Sequence, residues 1–406
     1  MEDPVRRQLE QLKAKIARIN ARFEARRERT TQPMEGGEAA TALGRHWEID
    51  RFWPAHARHG VSDVGALADL PADLLRALGG AEVEAPPERW AFLDTETTGL
   101  AGGTGAFAFL IGCGAITRRG FVMKQFFARE HGEEPSMLEA LAGWLEPFEA
   151  VVTYNGKAFD VPLLETRYRL QRRTPPFERL AHVDLLHSAR RLWRLALESC
   201  RLQDLERKIL GVERSGDVPG GMIPNLYFEY LRSGDPAPLE PVLRHNAVDV
   251  LSLACLTAIV PAAYREPHSL KRGAEMVGLA RWFRNEGRAE EAAALMRAAL
   301  KRNLEEPLLF ETLWQLAEIE RKAGRHEAAA ELWTELAGLE NPRRAEALAR
   351  LAIYFERHGR DIEKALDCAA RALRLEQRPQ WRKRWERLRG KASGLDRGGA
   401  PGGKLF

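Results

Sequence analysis

Cysteine is scarce in this chain. Cys113, Cys200, Cys255 and Cys368 stand far apart with no CxxC pair, which gives no basis for a thiolate zinc cluster or a disulfide framework. Reduced thiols are the simplest reading, and with them a cytoplasmic location. Long apolar runs are also wanting: no stretch is expected to approach the length of a membrane span, and the first thirty residues contain no signal-peptide core. A soluble protein with no membrane association is therefore expected. An excess of one charge is missing as well. Lys and Arg total 62 against 58 Asp and Glu, a net charge of +4, which permits nucleic-acid binding without implying it. The 406 residues, 45% of them hydrophobic, exceed what one core usually serves, so two or three packed units are expected.

What is present starts with Phe92-Leu93-Asp94-Thr95-Glu96-Thr97-Thr98-Gly99-Leu100. An apolar run that reads as a buried strand ends in two carboxylates one residue apart. Side chains at i and i+2 share a strand face, so Asp94 and Glu96 would point to the same side, and Gly99 suits a turn or close backbone approach. Two anions held together away from water repel unless a cation lies between them, and hard carboxylate oxygens favour a divalent metal. A polar strand end is the alternative, since Asp-x-Glu pairs are common.

Two further motifs follow. Val151-Val152-Thr153-Tyr154-Asn155-Gly156-Lys157-Ala158-Phe159-Asp160 is an apolar run, a turn-like Asn-Gly and an Asp, with a helix expected over 161–173. His245-Asn246-Ala247-Val248-Asp249 would place His245 and Asp249 on one helix face. Together the motifs supply Asp94, Glu96, Asp160 and Asp249, which could converge on two metal ions, and an imidazole that titrates near neutrality. Asp184 reads equally as a supporting carboxylate or a helix cap, and His182 and His187 as surface or packing residues.

The ordered set resembles the DEDD superfamily of 3'-to-5' exonucleases, which have a ribonuclease H-like fold, and is most similar to the YprB-like branch of bacterial ribonuclease H-like proteins. The resemblance covers about residues 88–265. It implies a metal-dependent nuclease acting on DNA or RNA with two Mg2+ or Mn2+ ions, Asp94 bridging them, Glu96 and Asp249 on the nucleophile side, and Asp160 at the other site. It implies His245 as the base. Asn155 and Lys157, with Thr97, would contact a phosphate or terminal sugar, a turn Asn and a solvated Lys being the alternatives. One departure stands out. The His-bearing exonucleases place four residues between His and Asp, whereas this chain has three, the spacing of the Tyr-bearing ones. One residue turns a helical side chain by about 100°, so a base and a helix-face histidine both remain open for His245. A structure-specific or RNA-directed endonuclease and an inactive nucleic-acid-binding scaffold are the alternative functions.

The expected fold is thus an α/β ribonuclease H-like domain, a mixed sheet with flanking helices, followed by an all-α tetratricopeptide-like repeat domain. Strands are expected over 90–95, 106–116, 121–129 and 150–154, with antiparallel hairpins among the first three and a crossover helix over 136–144 capped by Ser136. Residues 1–31 read as a basic amphipathic helix with Leu9, Leu12, Ile16, Ile19 and Phe23 on one stripe. Residues 32–87 read as a linker and a mixed segment. Over 270–390, turn glycines Gly287, Gly324 and Gly359 are spaced 37 and 35 residues apart, close to the tetratricopeptide period, which suggests a surface for a protein partner or substrate. Trp381 and Trp385 would pack a terminal helix inward or meet nucleic acid with their basic neighbours. Residues 391–406 read as a disordered tail.

Overall fold

The computed structural model describes residues 34–78, 84–99 and 105–398. The stripe over 1–31 therefore lies outside the described residues. The described residues separate into two compact units: one runs to Arg190 and resumes for Ser199–Arg265, the other holds Arg191–Glu198 and the described residues from Glu266.

The first unit is built on a mixed sheet of seven strands. Its strands are β1 (Gly37–Thr41), β2 (Gly44–Pro54), β5 (Trp90–Thr97), β6 (Ala108–Thr117), β7 (Gly120–Phe127), β8 (Ala150–Thr153) and β9 (Ala181–Asp184), in the order β1-β2-β7-β6-β5-β8-β9, while β3 (Arg58–His59) and β4 (Ser62–Asp63) form a separate two-stranded ribbon. The expected hairpins are present: β5 pairs with β6 and β6 with β7 antiparallel, whereas β5, β8 and β9 run parallel. Parallel strands need crossovers, supplied here by helices α1 (Glu134–Leu145) and α2 (Asp160–Leu170). A consequence fixes the site: the C-terminal ends of β5, β8 and β9 emerge on one edge, where ligands gather in open α/β sheets.

Two expectations about the N-terminal side are corrected. Residues 32–87 are not only linker and mixed segment, because β1 and β2 add two strands to the sheet, with β2 pairing along β7 from Trp47 opposite Phe127 to Pro54 opposite Gly120. Nor does Ser136 cap α1. The helix begins two residues earlier, and the buried Ser136 hydroxyl donates to the Gly44 carbonyl and accepts from Thr41, both at 2.9 Å, tying the helix to the β1–β2 turn.

Aromatic and aliphatic side chains close the core. Phe109 of β6 stacks on Tyr227 of α4 (Ile223–Ser233) with centroids 4.0 Å apart and planes 9° apart, and the Tyr227 hydroxyl donates to the Ala128 carbonyl. The long helix α5 (Glu240–Arg265) buries Val250, Leu251, Leu253, Ala254 and Leu256. With the turn before it, residues 237–265 form a helix long and apolar enough to cross a membrane, contrary to the expectation that no such run exists. Most of its apolar window, 67%, is buried within the protein, which is the pattern of a core helix. The polar interruptions at Ser252 and Thr257 disguise the run in the sequence.

The second unit is all-helical: α6 (Gly273–Asn285), α7 (Ala289–Leu300), α8 (Glu306–Lys322), α9 (His326–Gly338), α10 (Arg344–Arg357), α11 (Ile362–Leu375) and α12 (Pro379–Gly398) follow one another, preceded in the chain by α3 (Leu185–Trp193), which ends here. Alanines make the tight crossings, with Ala317, Ala329, Ala347, Ala352, Ala365 and Ala372 all buried. Gly287 and Gly324 turn the chain at φ of 82° and 79°, a conformation glycine adopts without strain. At the third turn the left-handed residue is Arg360, at φ 47°, one place after Gly359. Trp381 and Trp385 pack against this unit's core. Glu356 accepts from Arg384, Arg387 and Lys391 and holds α12 in place. That helix continues through Gly398, into the stretch expected to be a disordered tail, and the remaining tail lies outside the described residues.

Candidate active site

β5 is buried through Leu93 and becomes partly exposed from Asp94 onward, so the strand carries its acidic end out of the core. Asp94 sits opposite Gly112 of β6. A Cβ at Gly112 would lie 2.2 Å from the Asn246 amide oxygen, so any side chain there would push that amide out of place. The space serves Asn246: its amide nitrogen donates to Asp94 Oδ2 at 2.9 Å, while its oxygen accepts from Gln125 Nε2 at 2.9 Å. Gln125 also donates to the Leu243 carbonyl, so the amide's orientation is fixed from behind.

The second motif folds as a pinned loop. Asn155 is left-handed at φ 65°, and a Cβ on Gly156 would come within 2.5 Å of Thr153. Asp184, at the end of β9, accepts the backbone N–H groups of Asn155 at 2.8 Å, Lys157 at 3.1 Å and Leu186 at 3.1 Å. It is thus both the cap of α3 and the anchor of the loop that delivers Asp160, whose carboxylate accepts the Thr95 hydroxyl. Beside it, His182 contacts the Thr153 hydroxyl, and burial pushes its imidazole down to about 4.

On α5, His245 and Asp249 share a face, Nε2 lying 3.4 Å from Asp249 Oδ2 and 4.0 Å from Glu96 Oε1. Ligand atoms of Glu96, His245 and Asp249 all lie within 4.8 Å of one another. Asp94 and Asp160 line the adjoining cleft of about 730 Å3, together with Thr97, Asn155 and the exposed ring of Phe159. The Thr97 hydroxyl donates to the Gly99 carbonyl. The Lys157 side chain is exposed and is not among the cleft residues. Electrostatics tie the two halves together: desolvation and the charges of Asp249, Asp160 and Glu96 push Asp94 well up, and burial with Asp249 and Asp160 does the same to Glu96. Asp160 is raised to about 6, mainly by burial.

Residues 91–260 match the family model of the RNase_H superfamily. Over 285 residues, 70% of this chain and 68% of the relative, the sequence is 34% identical to the uncharacterized protein YprB of Bacillus subtilis (strain 168). The chain belongs to the YprB family of ribonuclease H superfamily proteins. A family B DNA polymerase from the hyperthermophilic archaeon Pyrobaculum calidifontis overlaps with it at a TM-score of 0.35 and 15% identity, over 51% of this chain and 30% of the polymerase.

In this YprB-family site the donor set suits a divalent cation. Four carboxylates and an imidazole converge, and the raised pKa values of Asp94, Glu96 and Asp160 mark buried negative charge that Arg214, paired with Asp249, does not fully offset. Three participants carried no signal in the sequence. Arg214 donates to Glu206 at 2.6 Å and to Asp249, and pairs with Asp217 at 3.3 Å. Asp217 in turn reaches His245 Nδ1 at 2.7 Å. Asn246, inside the third motif, reads as filler until its contact with Asp94 is seen.

Proposed function

We propose that the chain is a divalent-metal-dependent nuclease that removes nucleotides from the 3' end of DNA or RNA. The observation that carries this reading is the convergence of Asp94, Glu96, Asp160 and Asp249, from three separated motifs, on one edge of the sheet, with Asp94 electrostatically coupled to all the others. These four carboxylates would hold two ions, Mg2+ or Mn2+, as oxygen ligands. Such ions, when bound, neutralise a phosphodiester and lower the pKa of an attacking water. The protein's own part is positional. His245 Nε2 faces Glu96 and Asp249 and can take the proton of that water. Phe159 offers an exposed apolar wall to a terminal base, and Asn155 a side chain at the cleft edge for phosphate or sugar. The helical unit is read as a tetratricopeptide-like surface for a protein partner or the substrate strand, supported by the left-handed Gly287 and Gly324 turns and the alanine crossings.

The test is incubation of the purified chain with Mg2+ or Mn2+ and end-labelled single-stranded DNA and RNA, beside Asp94→Asn. A ladder of products shortened from the 3' end, absent in the variant, is expected. Cleavage of circular substrates would replace this reading with an endonuclease, and no metal-dependent cleavage at all would leave a binding scaffold.

A further inference from the structure

His245 has two neighbours on its Nδ1 side, and they make opposite demands. Asp217 Oδ1 lies 2.7 Å from Nδ1 and Arg214 Nη1 lies 3.2 Å from it. If Nδ1 were the acceptor, it would accept a hydrogen bond from Arg214, and the Asp217 carboxylate would face its lone pair at 2.7 Å with no proton between. If Nδ1 carries the hydrogen, it donates to Asp217 at a length proper to a charge-assisted bond, and Arg214 is satisfied elsewhere. The second arrangement fits the rest of the cluster. Arg214 Nη1 pairs with Asp217 Oδ2 at 3.3 Å, its Nη2 donates to Asp249, and Nε and Nη2 together grip the buried Glu206 at 2.6 and 2.5 Å. The planar fork thus spans three carboxylates, which a lysine could not do. Nδ1–H and the Arg214 Nη1, Nη2 and Nε groups each then have a carboxylate acceptor, and Nε2 is the ring nitrogen left facing Asp249 and Glu96.

We propose that Asp217, held by Arg214, is a positioning residue that fixes His245 in the Nδ1–H tautomer, so that its Nε2 lone pair is presented to the acidic cleft. This rests on the nuclease reading only for its catalytic consequence. The tautomer itself belongs to the folded chain. The pairing also bears on the three-residue spacing between His245 and Asp249: a histidine oriented by a partner on its far side does not depend on helix phase alone to reach the cleft.

The first measurement is made on the full chain without metal or substrate, by 15N–1H correlation spectra of the histidine rings, with His245 assigned by His245→Gln. A His245 tautomer protonated at Nδ1 is expected in the parent chain, shifted to Nε2–H in Asp217→Asn, whose amide can turn a donor toward the ring. Nε2–H in the parent, or an unchanged tautomer in Asp217→Asn, would overturn the proposal whether or not the chain cleaves nucleic acid. Thermal melts of Asp217→Asn and Asp217→Ala identify any variant that fails to fold. The second measurement uses labelled single-stranded DNA and Mn2+. Asp217→Asn is expected to lower kcat by about 100-fold, as loss of a positioned base does, with KM changed less than about threefold. Added to His245→Gln, it should cost nothing further, since Asp217 acts through His245. A full additional loss in the double variant would show that Asp217 works by another route.

Discussion

At the scale of single residues the site is a set of charges that the fold assembles at a cost. Asp160 is raised from an ordinary carboxyl value to about 6, so the folded chain binds its proton more tightly than the unfolded chain does. A group raised in this way favours the folded state fully below its unfolded pKa, and that contribution is lost as pH rises through about 6, on the order of 3 kcal/mol. Asp94 and Glu96 are raised as well and act in the same direction. Metal-free protein should therefore lose Tm between pH 5 and pH 8, and Mg2+ should restore it, with a larger Tm gain at pH 8. Calorimetric scans at both pH values check this. An equal or larger gain at pH 5 would contradict the picture of a carboxylate cluster awaiting a cation. The carboxylates themselves were legible in the sequence because each sits in a short motif whose neighbours announce a strand end or a helix start. Arg214 and Asp217 were not. Their partners on the third motif, Asp249 for Arg214 and His245 for Asp217, lie 35 and 28 residues away in the chain, and an Arg and an Asp in a loop look like any solvated pair until the fold closes over them.

At the scale of elements, strands whose two faces are both buried declare themselves. β6 is buried along nine of its ten residues and reads as an apolar run. β1 does not, since its five residues Gly-Glu-Ala-Ala-Thr lie at the sheet's edge, mostly exposed, and what makes them a strand is the ladder to β2, which composition does not record. The loop from Asn155 to Asp160 is intermediate: the Asn-Gly turn is visible in the sequence, its anchor is not. Asp184 accepts three backbone N–H groups from the start of that loop and the start of α3. Asp184→Ala should leave them without that acceptor and destabilise the chain by about 2–4 kcal/mol. Asp184→Asn should cost less, because one oxygen remains to accept from Asn155 and Leu186. Urea unfolding of the two variants is the check, and both should also weaken cleavage by loosening Asp160. Equal stability of Ala and Asn variants would mean that the three contacts contribute little.

At the scale of the whole molecule, the order of the chain and the grouping of its units do not coincide. Sequence reading places a border after residue 265, where helix pairs with alanine crossings take over from alternating strands and helices. The structure assigns Arg191–Glu198 to the helical unit although the chain then returns to the sheet unit for residues 199–265. Gly278 of α6 explains part of this placement: a Cβ there would lie 2.6 Å from the Arg191 carbonyl and 2.7 Å from that of Leu192, so the helix and the segment meet backbone to side. Arg191 also lies over the Trp282 ring at 5.0 Å. A fragment ending at residue 265 would strip the segment of those partners. Leu192 and Trp193 are 1% and 2% exposed in the intact chain, and uncovering even one such side chain forfeits about 1.5–3 kcal/mol of burial. The 1–265 fragment is therefore expected to bind a hydrophobic dye more strongly than the full chain and to aggregate at lower temperature, although every carboxylate of the site is retained. Replacing Leu192 and Trp193 by polar residues in the fragment should recover solubility. A fragment as soluble and heat-resistant as the full chain would show instead that the segment belongs to the helical unit by proximity alone.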